Sequence, residues 1–148
     1  ESVQEAINAH EEKKHKAAIL YIDLDNFKPI NDTYGHAMGD DVLTIVTTRL
    51  RKCIKSSDTV ARIGGDEFII VLHNIEAREV SSRIALQVLK VLNQKIVLRG
   101  HTFEASASIG VAHISEDGET ADRLISLADQ AMYRAKQTKN SICFSEEL

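Results

Sequence analysis

Residues 62–72 of this 148-residue chain read RIGGDEFIIVL, with two glycines and two acids between apolar residues. Apolar residues on both sides predict two strands, over 60–63 and 68–72, joined by a tight hairpin turn at Gly64 and Gly65. Glycine accepts a positive φ and carries no side chain that would keep a ligand away. The acids Asp66 and Glu67 follow at once. Carboxylates beside such a gap are typical of sites that hold a cation or take a proton next to a bound phosphate.

The flanking sequence predicts the order strand, helix, hairpin, helix, strand, late helix. An almost continuous apolar run is typical of a central strand, which we expect to end at the acids of 23–25. Helical spacing of apolar residues predicts three long helices. The predicted elements are an entry helix in 1–15, a strand over 17–22, a short helix or turn in 27–34, a helix over about 40–55, the hairpin, a helix over 77–93, a small hairpin within 96–103, a strand over 105–114, a turn at 116–118, a helix over 121–136 and an edge strand over 141–144.

This order predicts a single α+β domain of the ferredoxin-like βαββαβ type, with an antiparallel-rich central sheet flanked by helices. In that topology the third strand runs antiparallel beside the first. The end of the first strand, at Asp23, then meets the turn at Asp66. Two converging carboxylates with Glu67 beside them predict a Mg²⁺ site that substrate phosphates and water complete.

Groups that favour anions surround the predicted metal site. Backbone N–H groups around Asn26 and Phe27, at the start of the short helix, attract phosphate. Lys28 and Lys136 would add positive charge. Phosphate oxygens would approach the backbone at the two glycines of the hairpin.

Composition excludes several classes of partner. The net charge of −4 argues against binding to nucleic-acid polymers, which requires a basic face. Cys53 and Cys143 lack metal-site spacing, and we expect a reducing cytoplasm. No apolar run approaches the length of a membrane span, so no membrane contact by this domain is expected, although upstream segments would be able to tether it. Because residue 1 is Glu, we expect a domain excised from a longer signalling protein.

Four motifs in order resemble the GGDEF family, the diguanylate cyclases, over nearly the whole chain. They are GGDEF at 64–68, DLDNFKPIND at 23–32 with YGHAMGD at 34–40, SIG at 108–110, and ADQAMYRAK at 128–136. The resemblance implies the palm-like, nucleotidyl-cyclase form of the predicted fold. It also implies the joining of two GTP molecules into cyclic di-GMP with release of pyrophosphate, using Mg²⁺ or Mn²⁺.

The resemblance also implies roles for single residues. Asp23, the Leu24 carbonyl and Asp66 match metal ligands. Asp66 and Glu67 match the catalytic positions that activate the 3′-hydroxyl and stabilise the transition state.

The remaining GTP contacts are implied in the same way. Asn31 and Asp40 match the residues that read guanine, and a carboxylate does accept from guanine N1–H and N2–H₂ together, a pattern that adenine lacks. Lys136 matches a triphosphate-binding lysine. The tail is one residue shorter than usual, and Lys139 is expected to replace a second phosphate-binding residue.

One domain of this family binds one GTP, so two domains must face each other for the reaction. A transient symmetric homodimer meets that requirement, and we expect the isolated domain to be mostly monomeric and slow. Many relatives also carry an inhibitory Arg-x-x-Asp product site. Here Asp58 and Arg62 match it, but position 55 is Lys, which lacks the bidentate fork of arginine. Either a degenerate product site or ordinary surface charges fit these three residues.

Two other functions fit parts of the sequence. The chain is also typical of a catalytically silent GTP-binding module that regulates an adjacent domain, such as a cyclic di-GMP phosphodiesterase. From the residues alone, the acids of 23–25 after an apolar strand also fit the Asp-x-Asp nucleophile of haloacid-dehalogenase-type phosphatases, which requires parallel strands alternating with helices.

Overall fold

A computed structural model describes residues 16–114 and 120–148. The expected entry helix in 1–15 and the turn at 116–118 lie outside these residues. The elements in chain order are β1 (Lys16–Asp25), α1 (Lys28–Tyr34), α2 (His36–Arg51), β2 (Thr59–Gly64), β3 (Glu67–Ile75), α3 (Arg78–Leu92), β4 (Ile96–Leu98), β5 (His101–Phe103), β6 (Ser106–His113), α4 (Ala121–Thr138), β7 (Ser141–Phe144) and a 3₁₀ helix (Ser145–Glu147).

A five-stranded sheet in the order β2-β3-β1-β6-β7 forms the centre, and β4 and β5 form a separate hairpin. The central strand β1 is antiparallel to both β3 and β6, whereas β7 pairs in parallel with β6. This arrangement confirms the predicted α+β fold with its antiparallel-rich sheet. The phosphatase interpretation is wrong, because β1 has no parallel neighbour within the described sheet.

Strand β1 is buried on both faces, which explains its almost continuous apolar sequence. Ala18, Leu20 and Ile22 pack in one cluster with apolar residues of α2 and α3. Ile19 and Tyr21 belong to a second cluster on the opposite face, with residues of α4. Side chains of a strand alternate between the two faces of its sheet. The acidic positions 23 and 25 therefore continue the face that carries α4.

Helix α4 lies very close to the sheet. A methyl group built on Gly110 of β6 would overlap the backbone of α4 at Ala128 and Met132. Ala128, Ala131 and Ala135 are all buried along this face of the helix. Small residues on both elements thus permit the close approach. The packing places the C-terminal end of α4 above the end of β1.

Several predicted boundaries are displaced, and three of them lie close to the predicted site. Strand β1 continues to Asp25, because pairing with β6 extends to Ser106. Helix α2 begins at His36 and ends at Arg51, earlier than the range 40–55 at both ends. The hairpin turn lies at Gly65 and Asp66, while Gly64 is the last residue of β2.

The shifted turn has a local cause. The register of β2 and β3 changes between Arg62 and Gly64, which then pairs with Glu67. Neither glycine of the motif adopts a positive φ, unlike Gly35 and Gly100. Left-handed backbone therefore does not require glycine at either position, contrary to the expectation from sequence.

Within residues 16–114 and 120–148, no helix combines the length and apolar character that crossing a membrane requires. Neither cysteine of the chain is paired, since Cys53 and Cys143 are both free thiols.

Candidate active site

The pairing of β1 with β3 brings the acids of two motifs together. Asp23 lies opposite Glu67 in the antiparallel register. The Leu24 N–H donates to the Asp66 carbonyl oxygen over 3.0 Å, so the turn is attached to the end of β1. The structure therefore places Asp23, Asp66 and Glu67 at one end of the central strand.

Asp23 is in an environment that penalises its charge. Its side chain is almost buried, and Oδ1 has no hydrogen-bond partner among the described residues. Burial, followed by the neighbouring Asp66 carboxylate, raises the pKa of Asp23 to about 6, although Lys136 opposes the shift. A buried carboxylate oxygen without a partner is a costly feature that a bound cation relieves.

The donor atoms at this end of β1 fit a hard divalent cation. Asp23 and Asp66 offer carboxylates, and Leu24 has a carbonyl oxygen that already accepts from the Lys136 ammonium over 3.4 Å. The described residues contain no cluster of three or more His, Cys, Asp or Glu side chains arranged for a metal. Mg²⁺ commonly uses one or two carboxylates and takes its other ligands from water and substrate phosphates. This oxygen-only set suits Mg²⁺ or Mn²⁺ on those terms.

Two lysines from the end of α4 complete the site. The Lys136 ammonium lies 3.2 Å from Asp23 Oδ2 and 3.3 Å from Asp25 Oδ1. Burial lowers the pKa of Lys136, but the two carboxylates outweigh it and hold the pKa above its usual range. Lys139 Nζ donates to Asn26 Oδ1 over 3.3 Å. Both lysines therefore lie where a triphosphate beside the acids would meet positive charge.

Asp25, to which the sequence analysis gave no role in the nucleotide site, organises this corner. Its buried carboxylate accepts from Ser106 Oγ at 2.6 Å, Ser108 Oγ at 2.8 Å and the Asn140 N–H at 2.9 Å. Burial opposes ionisation, but these hydrogen bonds and Lys136 together lower the pKa of Asp25. Asp25 thus links β1, β6 and the segment after α4. The alternating serines of β6 were the available signal, since they share one face of a neighbouring strand.

The predicted guanine readers lie on α1 and α2. Asn31 is half-buried, and its Oδ1 has no partner in the described ranges. Asp40 is exposed and directly follows Gly39 in α2. A methyl group built on Gly39 would overlap the Asn31 side-chain amide and crowd the Phe27 ring. Gly39 therefore leaves the room that the Asn31 side chain occupies between α1 and α2, a role that the sequence analysis missed although the residue lies within the second motif.

Comparison with known proteins now identifies the family. The family described as diguanylate cyclase, GGDEF domain, matches residues 1–141. The chain belongs to the GGDEF-domain family. This GGDEF domain is 41% identical over 149 residues to the bifunctional diguanylate cyclase/cyclic di-GMP phosphodiesterase MucR of Pseudomonas aeruginosa, covering 99% of this chain and 21% of MucR. It is 41% identical over 142 residues to diguanylate cyclase A of Treponema denticola, covering 95% of this chain and 38% of that protein.

Solved structures agree with the fold. The GGDEF domain of TpbB from Pseudomonas aeruginosa superimposes with a TM-score of 0.93 at 37% identity, covering 97% of this chain and 85% of that one. The chain spans only about a fifth to two fifths of the lengths of the two curated relatives. Those relatives therefore share this domain, and their full activities belong to longer proteins.

The other residues that the sequence assigns to the nucleotide lie in the hairpin of β2 and β3 and at the start of α1. Gly64 and Gly65 are exposed, and a methyl group built on either would meet nothing within 4 Å. Lys28 is exposed at the first position of α1, and Phe27 is buried beneath it. Asn26 adopts a left-handed φ of 60°, which turns the chain from β1 into α1. Asparagine tolerates this conformation better than most residues.

The three residues of the predicted product site are only partly brought together. Asp58 is buried, and its oxygens accept from the Lys55 N–H at 3.1 Å and the His73 N–H at 2.9 Å. Lys55 and Asp58 line a cavity of about 530 Å³ between α3 and the segment after α2, to which Arg83 also contributes. Arg62 instead donates from Nε to the Gly65 carbonyl at 3.1 Å. The product site remains a prediction, with Asp58 already engaged by backbone.

Proposed function

We propose that this GGDEF domain condenses two GTP molecules into cyclic di-GMP and releases pyrophosphate. The observation that supports this most strongly is that Asp23 lies opposite Glu67. Oδ1 of Asp23 has no partner among the described residues, and Oδ2 lies beside the Lys136 ammonium. An acid-rich site with lysine ammonium groups beside it suits a phosphorylated substrate that arrives with a cation.

Each group in the site has a role in this proposal. Asp23, the Leu24 carbonyl and Asp66 would hold Mg²⁺ or Mn²⁺, which offsets charge on the triphosphate when it is bound. Lys136 and Lys139 bind phosphate oxygens.

The glycines and the acids of the hairpin serve the reacting atoms. The open approach at Gly64 and Gly65 admits the triphosphate. Glu67 accepts the proton of the 3′-hydroxyl as that oxygen attacks the α-phosphate in line and pyrophosphate leaves, while Asp66 would help to hold the cation.

Guanine specificity is assigned to the pocket between α1 and α2. The Asp40 carboxylate accepts from guanine N1–H and N2–H₂, and the Asn31 amide faces the same base. ATP would leave these polar groups unpaired, which can produce large discrimination.

The reaction needs two domains in an antiparallel arrangement, because each supplies one nucleotide. Activity per molecule is therefore expected to fall on dilution. Constant specific activity over a hundredfold dilution would contradict the dimer requirement.

The direct test is incubation with GTP and Mg²⁺ followed by identification of products by mass. Cyclic di-GMP and pyrophosphate are expected, and both should be lost in Glu67→Gln. Glu104→Gln is a matched control, because Glu104 is exposed and pairs only loosely with Lys95 at 3.8 Å. Release of orthophosphate from GTP would contradict the proposal.

A silent GTP-binding module is the second candidate. It is favoured by the relative named cyclic di-GMP phosphodiesterase NbdA of Pseudomonas aeruginosa, which is 35% identical over 133 residues and whose name includes phosphodiesterase but not cyclase activity. Tight GTP binding without any product would select it.

A further inference from the structure

Tyr21 makes a contact with the site that no motif of the sequence points to. It lies on β1 two residues before Asp23 and on the same face of the sheet. Its hydroxyl donates to Glu67 Oε1 at 3.1 Å. The ring is only 7% exposed and belongs to the apolar cluster beneath α4.

The strand register explains why these two side chains meet. Tyr21 pairs with Ile69, and Asp23 pairs with Glu67, so Tyr21 and Glu67 are diagonal neighbours on one face. Long side chains reach each other across such a diagonal. The contact is therefore built into the pairing of β1 with β3.

We propose that Tyr21 is a positioning residue that holds the Glu67 carboxylate in the orientation required for the 3′-hydroxyl of the substrate. This inference rests on the proposed cyclase function. Glu67 is half-buried, and a glutamate side chain has several rotatable bonds that must be ordered before it can act. A tyrosine ring immobilised in a core presents its hydroxyl at a nearly fixed point.

The direction of the hydrogen bond supports this role. A carboxylate only accepts, so the phenol is the donor and Glu67 accepts through Oε1. The second oxygen, Oε2, then faces the 3′-hydroxyl of the substrate in this proposal. A displaced general base loses rate steeply, because proton transfer requires close heavy-atom contact.

The test replaces only the hydroxyl. Tyr21→Phe keeps the buried ring, and Tyr133→Phe, at an exposed position of α4, is the matched control. We expect Tyr21→Phe to lower kcat by about tenfold or more while the KM for GTP stays within about twofold, since the bond acts on the reacting atoms and not on binding. Tyr133→Phe should change neither parameter.

A second measurement reads the contact without turnover. Unfolding by denaturant is compared for the wild type, Tyr21→Phe, Glu67→Ala and the double variant, because alanine removes the acceptor that glutamine would keep. Coupled residues give a combined loss different from the sum of the single losses, whereas independent ones are additive. A purely structural Tyr21 would alter unfolding without the selective loss of kcat.

The outcomes separate the two proposals. An active wild type with unchanged kcat in Tyr21→Phe, or with a changed KM alone, overturns the positioning role and leaves the cyclase function intact. Additive unfolding energies overturn the contact itself. A wild type that binds GTP and makes no cyclic di-GMP overturns the cyclase function, and the positioning role falls with it.

Discussion

Asp23 and Glu67 face each other across the antiparallel pair of β1 and β3. With Asp66 at the adjoining turn, this pairing concentrates negative charge at one end of the sheet. Like charges at close range disfavour ionisation, and burial adds to the effect. Bringing these acids together therefore lowers the stability of the folded domain.

Replacing Asp23 with Asn should stabilise the metal-free domain near neutral pH. The folded-state pKa of Asp23 is about 6, raised first by burial and then by Asp66 from the ordinary value of 3.8. The folded state therefore binds the proton more tightly, and this stabilising contribution is lost as pH rises from about 4 to about 6. After allowance for solvent screening, we expect Asp23→Asn to gain about 1 kcal/mol at neutral pH.

Denaturant unfolding at several pH values without metal measures this effect. The variant should also lose affinity for Mn²⁺, because the carboxylate whose charge destabilises the metal-free domain is the one that would bind the metal. A variant less stable than wild type at neutral pH would contradict the assignment.

Replacing Asp25 with Asn should have the opposite effect. The pKa of Asp25 is lowered because the stabilising hydrogen bonds outweigh burial, so its contribution is present above its unfolded pKa and is lost as pH falls through the folded value. Charge-assisted bonds from Ser106, Ser108 and the Asn140 N–H would weaken together. We expect a loss of about 1.5–3 kcal/mol near neutral pH, measured by the same unfolding series.

The pair of aspartates forms an internal control, since the same chemical change is made two residues apart on one strand face. Equal signs for Asp23→Asn and Asp25→Asn would show that the electrostatic reasoning is wrong.

Replacing Gly39 with Ala should damage nucleotide selection. An added methyl group overlaps the Asn31 side-chain amide, so the amide must leave its position. We expect the KM for GTP to rise by about tenfold or more and the preference for GTP over ATP to shrink. Steady-state kinetics with both nucleotides measure this.

An ordinary glycine-to-alanine change inside a helix stabilises it by about 1 kcal/mol. Gly39→Ala should not show this gain in stability, because the added methyl group would displace the Asn31 side chain. A more stable variant with unchanged GTP kinetics would contradict the packing argument.

Replacing Lys55 with Arg should strengthen binding of cyclic di-GMP, if the cavity beside α3 holds the product. Lys55 and Arg83 line this cavity, and arginine would add the planar fork that phosphate recognition favours. We expect binding to tighten by about tenfold in Lys55→Arg and to weaken in Lys55→Ala, as measured by calorimetry.

Asp58→Ala is not a clean test of the same cavity, because Asp58 accepts from two backbone N–H groups and its loss would disturb the fold. Identical product affinity in wild type, Lys55→Arg and Lys55→Ala would favour the interpretation of these residues as surface charges.

Most of the sheet could be predicted from sequence because its signals are local. A central strand buried on both faces needs apolar residues throughout, and β1 shows this directly. The long helices follow from apolar spacing, as for α4 and its buried alanines. The end of β1 could not be predicted, because Asp25 is polar and belongs to the strand only through its pairing with Ser106.

The candidate site could likewise be predicted only in part. Residue type and motif predicted which acids and lysines to consider, and the βαββαβ order predicted that positions 23 and 66 would meet. Three contacts were not predictable: the hydrogen bonds of Asp25, the close approach of Asn31 to Gly39, and the hydrogen bond from Tyr21 to Glu67. Each depends on a partner from a distant part of the chain.

The family, the pattern of apolar and polar residues and the turn of glycines and acids can all be recognised in the amino-acid sequence. The folded domain is needed to see that Asp23 is buried with one oxygen lacking a partner, whereas Asp25 is buried with its hydrogen bonds satisfied. The reason is physical: the charge state of a carboxylate depends on the solvent removed and the donors supplied, and both come from strands and helices that meet only in the folded domain.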